Sequence, residues 1–292
     1  MKRPLTLIPR RIVLVGGNTI RCGKTHISKQ LQNKLEEKVP LLQVVRCETS
    51  HSISMLAKTL RSYSDYLPAT LKSTESIVSN WMIELIGNHG SKIVASSNKH
   101  FSKWLHTQLP TMLPILGGST ENTEEYKSNR RDSFYFPVAQ QILKCYGPGY
   151  LTEIAWIHSI RQHADVCIIS GIRTVADCTF GMRHDALLLR VEASLTAAAS
   201  RHDIFGVSVS TKMMTAPWDT QLPDYEEMYR IPNRYLLGGE EKDNKSAAQE
   251  TDQALNTVVD AIMDGLHIEK RQNSLSDPAK MPEALMKMLS PF

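Results

Sequence analysis

The sequence predicts an α/β protein built on a mostly parallel central sheet. Two short runs, residues 164–171 (ADVCIISG) and 186–191 (ALLLRV), are almost continuously apolar over strand length, as strands buried on both faces are. Segments whose apolar residues recur every three or four positions, the spacing of one helix face, alternate with them. Near the N-terminus an apolar run enters a glycine-rich turn that opens directly into a helical pattern. Strands alternating with helices imply parallel pairing, because a parallel neighbour is reached only through a long crossover.

The elements follow in order. Residues 11–15 form the first strand, and Ile27, Leu31 and Leu35 put one face of the following helix against it. Residues 41–45 are the second strand, with Pro40 at its entry. Residues 52–63 and 77–86 are predicted as helices, and 101–109 on a weaker pattern. Trp81, Trp104 and Trp156 fall within helical patterns, which favours core positions over base-stacking platforms. Residues 117–122 signal a loop. Leu151, Ile154, Ile157 and Ile160 place a helix over 150–160, leading into the strand at 164–171. Residues 203–249 hold Pro217, Pro223, Pro232 and Gly238-Gly239, then the charged run Glu240–Asp243, and predict a lid or loop region in which Lys242 and Lys245 face solvent. Leu255, Val258, Val259, Ile262 and Leu266 return a helix over 254–266. The expected organisation is one domain over 1–270, with a helical insertion at 51–125 and the lid at 203–249. A polar tail, 271–292, follows, with a short helix candidate at 283–289.

Composition narrows the class. The 292 residues are 41% hydrophobic and 22% charged, which excludes a collagen, a coiled-coil rod or a wholly disordered chain. No run approaches the length of a transmembrane helix, so no membrane partner is expected. The N-terminal segment has a broken apolar run and no small-residue cleavage site, which predicts no signal peptide. A net charge of +4 and a pI of about 8.7 suit anionic ligands such as nucleotides but do not by themselves argue for nucleic-acid binding. The cysteines, Cys22, Cys47, Cys145, Cys167 and Cys178, are odd in number, scattered and without a CxxC, so a reduced, cytoplasmic chain without zinc is expected.

The strongest chemical signal is Gly17-Asn18-Thr19-Ile20-Arg21-Cys22-Gly23-Lys24-Thr25, a turn between strand and helix. A helix start presents unpaired amides and a partial positive charge, on which a triphosphate can sit. Lys24 would reach the β- and γ-phosphates, the Thr25 hydroxyl would ligate Mg²⁺, and Gly23 would let the backbone approach. The usual pattern has glycine where Asn18 stands, and Gly17 is one residue early. Asn tolerates positive φ, so Asn18 is expected to serve. A second constellation, Ser170-Gly171-Ile172-Arg173-Thr174-Val175-Ala176-Asp177, follows the most apolar strand. Its Arg173 is a candidate anion clamp. The strand ends without an acid, and Asp177, past the turn, is the nearest carboxylate.

These residues resemble the phage-type deoxynucleoside monophosphate kinases and the animal-type phosphomevalonate kinases related to them. Arg21-Cys22-Gly23-Lys24-Thr25 is similar to that family's P-loop, with a basic residue two before Gly-Lys. Ile169–Asp177 is similar to the family's strand ending in Asp-x-Arg with an acid four residues on, with Gly171 where the family has Asp. Residues 129–150 resemble the substrate-side helix whose arginine reaches the acceptor phosphate. Residues 188–194 resemble the next strand, and Ala198-Ala199-Ser200-Arg201 the place of a lid arginine. The resemblance spans about half of the chain, which is longer than the compact members at 51–125 and 203–249.

The resemblance implies a P-loop kinase-like three-layer fold with a helical and lid insertion, binding ATP and Mg²⁺ at 17–25. Lys24, Arg173 and Arg201 would be catalytic, Arg130 or Arg131 would hold the acceptor, and Thr25 would be the metal ligand. Two further readings stay open at this point. One is a phage kinase acting on 5-hydroxymethyluracil within DNA; the other is a non-catalytic ATP-binding module, prompted by Gly171. His51 is either a phosphate contact or follows an N-cap serine, Ser50 or Ser52. Arg201-His202 is either a charge-stabilising finger or a solvated helix end.

Overall fold

Arg11–Gly17 (β1) is buried along nearly its whole length, which places it at the centre of a sheet with helices on both faces. The structure, a computed structural model, describes residues 11–19, 21–62, 70–87, 95–117, 130–200, 222–236 and 239–273. Its sheet has five strands: β1, Val44–Glu48 (β2), Val166–Ser170 (β3), Leu187–Glu192 (β4) and Tyr229–Pro232 (β5). The order is β2-β3-β1-β4-β5, and every pairing is parallel. Val13 of β1 lies between Ile168 of β3 and Leu187 of β4.

Successive β1 side chains point to opposite faces and build two cores. Val13 and Val15 pack with Ile27, Leu31 and Leu35 of Lys24–Lys38 (α1) and with Leu255, Val258 and Ile262 of Glu241–Asn273, the last described helix. Ile12 and Leu14 pack with Trp156 of Tyr150–Arg161 and Cys178 of Val175–Arg183 on the other face. Helix, sheet and helix are three layers. A third core stands apart from the sheet, formed by His51–Arg61 (α2), Leu71–Ile86 (α3), Ala95–Leu116 (α4), the π-helical turn Arg131–Tyr135 and Phe136–Tyr146 (α5). The Tyr150–Arg161, Val175–Arg183, Leu195–Ser200 and Glu241–Asn273 helices are α6, α7, α8 and α9. In the third core Trp81 and Phe101 stack with ring centres 5.6 Å apart, and the Trp81 indole N–H donates to the Ser52 carbonyl at 2.8 Å. Among the described residues no helix is long and apolar enough to cross a membrane.

Several boundaries differ from the sequence expectation. The second strand is Val44–Glu48 rather than 41–45. Leu41 is 78% exposed in the turn after α1, and the strand takes in Arg46 and Glu48 because β2 is a sheet edge where polar side chains reach solvent. Helix α4 extends beyond the expected 101–109 at both ends and contains Pro110 and Pro114, held by burial of Met112, Leu113 and Leu116. The expected loop at 203–249 contains β5 and the start of α9, whose charged first turn faces solvent with Lys242 and Lys245. Residues 203–221, 118–122 and the tail candidate at 283–289 lie outside the described residues.

Trp81, fully buried, anchors the helical core, so Trp81→Ala should cost about 3–5 kcal/mol in chemical denaturation. Four of the five cysteines are buried and Cys145 is half-buried. Burial pushes the Cys47 and Cys178 thiols up to about 12 and the Cys167 thiol further still. A thiol reagent at pH 8 should therefore titrate one of the five cysteines in the folded protein and all five after denaturation.

Candidate functional site

Strand β1 ends at Gly17, beside Val191 of β4. The chain then turns, and Asn18 fixes where it turns. Its amide donates to the Val191 carbonyl at 3.2 Å. Its side chain donates to the Ala193 carbonyl at 3.0 Å and accepts from the Ala193 amide at 3.1 Å. Asn18 does not take positive φ, as the sequence reading expected; it replaces glycine by clamping a neighbouring backbone. The left-handed residues of the turn are Arg21, at φ 57, and Gly23, at φ 97. Thr19 and Cys22 are buried, and the Cys22 carbonyl accepts from the Asn233 side chain at 2.7 Å, just beyond β5. Ile20 lies outside the described residues.

Gly23 has no side chain with which to cap α1, and the first turn contains no acid. Helices α3 and α7, by contrast, are capped by Thr70 and Thr174. The Lys24 ammonium folds back over the turn, donating to the Thr19 carbonyl at 3.2 Å and lying 3.6 Å from the Cys22 sulfur. Among the described residues it makes no ion pair. A cation and open amides thus converge on one concavity, which suits an anion with several oxygens.

The Thr25 hydroxyl donates to Oε1 of Glu48 at 3.3 Å. Glu48 is the last residue of β2, and Ser50 donates to its other oxygen at 3.2 Å. A hydroxyl and a carboxylate are hard oxygen donors, the set that suits Mg²⁺. The sequence reading missed Glu48 because it ended the second strand at residue 45. The signal was available in the period-two pattern Val44, Arg46, Glu48 on one strand face.

In the second constellation the nearest carboxylate is engaged in the backbone around it. Asp177 is buried, and Oδ2 accepts from the Arg173 amide at 3.0 Å, the Thr174 amide at 2.9 Å and the Thr174 hydroxyl at 2.9 Å. Oδ1 accepts from Thr152 of α6 at 2.6 Å. Asp177 therefore completes the capping box of α7 with Thr174 and ties α7 to α6. Gly171 takes φ 91, and a Cβ there would stand 2.7 Å from the Thr49 hydroxyl. Arg173 sits half-buried in the turn after β3, the strand beside β1.

The remaining candidates are placed as follows. The Arg130 guanidinium closes the end of α4, donating to the carbonyls of Ile115 at 2.7 Å and Gly117 at 2.9 Å. The Arg131 side chain and all of Arg201 lie outside the described residues. Neither Ser50 nor Ser52 caps α2: the Ser50 hydroxyl turns to Glu48, and Ser52 is buried. The His51 ring packs on His158 of α6 at 4.8 Å. Trp81 and Trp156 are buried and Trp104 packs against the helical core, as expected. No protein-family profile and no curated protein matches the chain. The fold and the turn after β1 define it as a three-layer α/β protein with an open, cation-lined helix start at the carboxyl end of its central strand.

The capping role of Asp177 is testable apart from any function. Asp177→Ala removes four hydrogen bonds and should lower the unfolding free energy by about 2 kcal/mol or more, read by urea titration.

Proposed function

We propose that the chain is an ATP-dependent phosphotransferase that moves the γ-phosphoryl group onto a nucleotide or nucleotide-like acceptor. The observation that carries this reading is the uncapped start of α1, where left-handed Gly23, the Lys24 ammonium and the Thr25 hydroxyl meet at the end of β1. The polyphosphate would rest on the first-turn amides, with Lys24 exchanging the Thr19 carbonyl for phosphate oxygens. Thr25 would hold the Mg²⁺ that accompanies ATP and that, when bound, neutralises charge on the β- and γ-oxygens.

Arg173, reaching from the end of the adjacent strand, would clamp the phosphoryl group in transfer. Arg201 would add a further positive charge. Arg130 is engaged at the end of α4, which leaves Arg131 as the better candidate for the acceptor's phosphate. Such a reaction needs no covalent enzyme intermediate, because positioning and electrostatic stabilisation supply the acceleration. The separate helical core beside the sheet would form the acceptor side.

The test is a screen with γ-labelled ATP and Mg²⁺ against nucleoside monophosphates, small phosphomonoesters and hydroxymethylated DNA. Label is expected on a nucleotide acceptor. Label on DNA alone would establish the base-modifying alternative, and ATP binding without transfer would establish a non-catalytic module. Lys24→Ala should lower transfer at least about a hundredfold and abolish the rise in melting temperature that ATP gives the native chain. Undiminished transfer by that variant refutes the assignment.

A further inference from the structure

We infer that Glu48 is the carboxylate that, together with Thr25, positions the divalent cation of a bound nucleotide, standing at the end of β2 in place of an acid that β3 does not carry. The inference rests on the phosphotransferase reading and adds to it the residue that the turn after β1 lacks.

Strand β3 ends at Ser170, and the backbone at the following Gly171 disfavours an acid. Gly171 is left-handed at φ 91, a conformation that costs an L-residue about 1–2 kcal/mol. Any Cβ at that position would also press on the Thr49 hydroxyl, 2.7 Å away. That hydroxyl donates to the Gly171 carbonyl at 3.0 Å, and the Thr49 amide donates to the Ser170 carbonyl at 2.9 Å. The contacts that exclude a side chain at 171 therefore draw the end of β2 over the end of β3. Glu48 is the residue just before Thr49, in register with Ser170, which in turn lies beside Val15 of β1.

Glu48 shares its strand face with Val44, which packs in the α1-side core, so its side chain reaches the same side of the sheet as α1. There Oε1 lies 3.3 Å from the Thr25 hydroxyl. Adjacent oxygens on an octahedral Mg²⁺ with bonds of 2.0–2.1 Å are about 3 Å apart, so the two donors are spaced to serve one small cation. The carboxylate is held in place by the Ser50 hydroxyl at 3.2 Å on Oε2 and by the Arg46 guanidinium 3.9 Å from Oε1. Among the described residues no group of three or more His, Cys, Asp or Glu could hold a metal ion. Two protein oxygens are too few to keep Mg²⁺ without phosphate, so the cation arrives with the nucleotide.

The experiment measures ATP binding to the full chain as a function of Mg²⁺ concentration and again in EDTA, with Mn²⁺ spin-resonance titration as a direct count of bound cation. Native protein should bind Mn²⁺ only when ATP is present. Glu48→Gln keeps the size of the side chain and one acceptor oxygen, which serves either Thr25 or Ser50. It should leave ATP affinity in EDTA within about twofold, while the cation concentration that half-saturates the complex rises at least about tenfold. Glu48→Asp, should the glutamine variant melt early, decides by the same titration, with a smaller rise expected. An unchanged cation midpoint in a folded variant overturns the inference, even where phosphoryl transfer is lost. Native protein that binds no ATP, or binds it independently of Lys24, refutes the phosphotransferase reading and this inference with it.

Discussion

The turn between β1 and α1 opens a helix on a left-handed glycine with no capping side chain, and the rest of the architecture is what holds it in that shape. An uncapped start is unfavourable by itself, and a left-handed arginine at position 21 adds about 1–2 kcal/mol. Two asparagines offset this. Asn18 binds both backbone groups of Ala193, just past β4, and Asn233, just past β5, binds the Cys22 carbonyl. The turn is therefore shaped by the carboxyl ends of two other strands. It exists because β4 and β5 lie on one side of β1 and run parallel to it.

Other helix starts in the molecule are built differently from that of α1. Helix α7 begins with a full capping box, in which Thr174 and Asp177 satisfy each other's amides. Helix α6 begins, like α1, at a left-handed glycine, Gly149, without a side-chain cap, but its first turn carries Glu153, whose negative charge answers the positive end of the helix. Only α1 of these three combines an open start with a basic residue, Lys24, and no acid in its first turn. That combination raises the local positive potential instead of cancelling it, which is unfavourable for an isolated protein and favourable for one that holds a polyphosphate.

The central strands, the helix after the turn and the glycine-lysine-threonine signal were legible in the sequence because each is a local pattern. Val13 to Val15 are apolar without interruption, and Ile27, Leu31 and Leu35 recur on one helix face. What was not legible depends on neighbours distant in the chain. Edge strands β2 and β5 carry polar or proline residues, since one side of each is open, so the apolar runs that mark central strands misplace the first and miss the second. The work of Asn18 is invisible without Ala193, 175 positions away. Asp177, by spacing alone, is equally a metal carboxylate or a cap, and only the Thr152 hydroxyl from α6 and the amides around it distinguish the two.

The same dependence on neighbours decides which strand end has room for a long acidic side chain. Three strand ends, those of β2, β3 and β1, lie side by side, so a cation near Thr25 can be approached from either of the other two. Which strand supplies the acid is settled by where the backbone leaves room for a side chain. At Gly171 the left-handed turn lets β3 swing toward Arg173 and the capped start of α7, and it takes the adjacent side-chain position out of use. At Glu48 the strand stays extended to its last residue and carries on the alternation begun at Val44, so a long side chain from the edge reaches across the end of β3 toward α1. A turn that favours arginine placement after β3 and an acid at the end of β2 are thus two consequences of one piece of backbone, the Thr49 contacts that join the two strands.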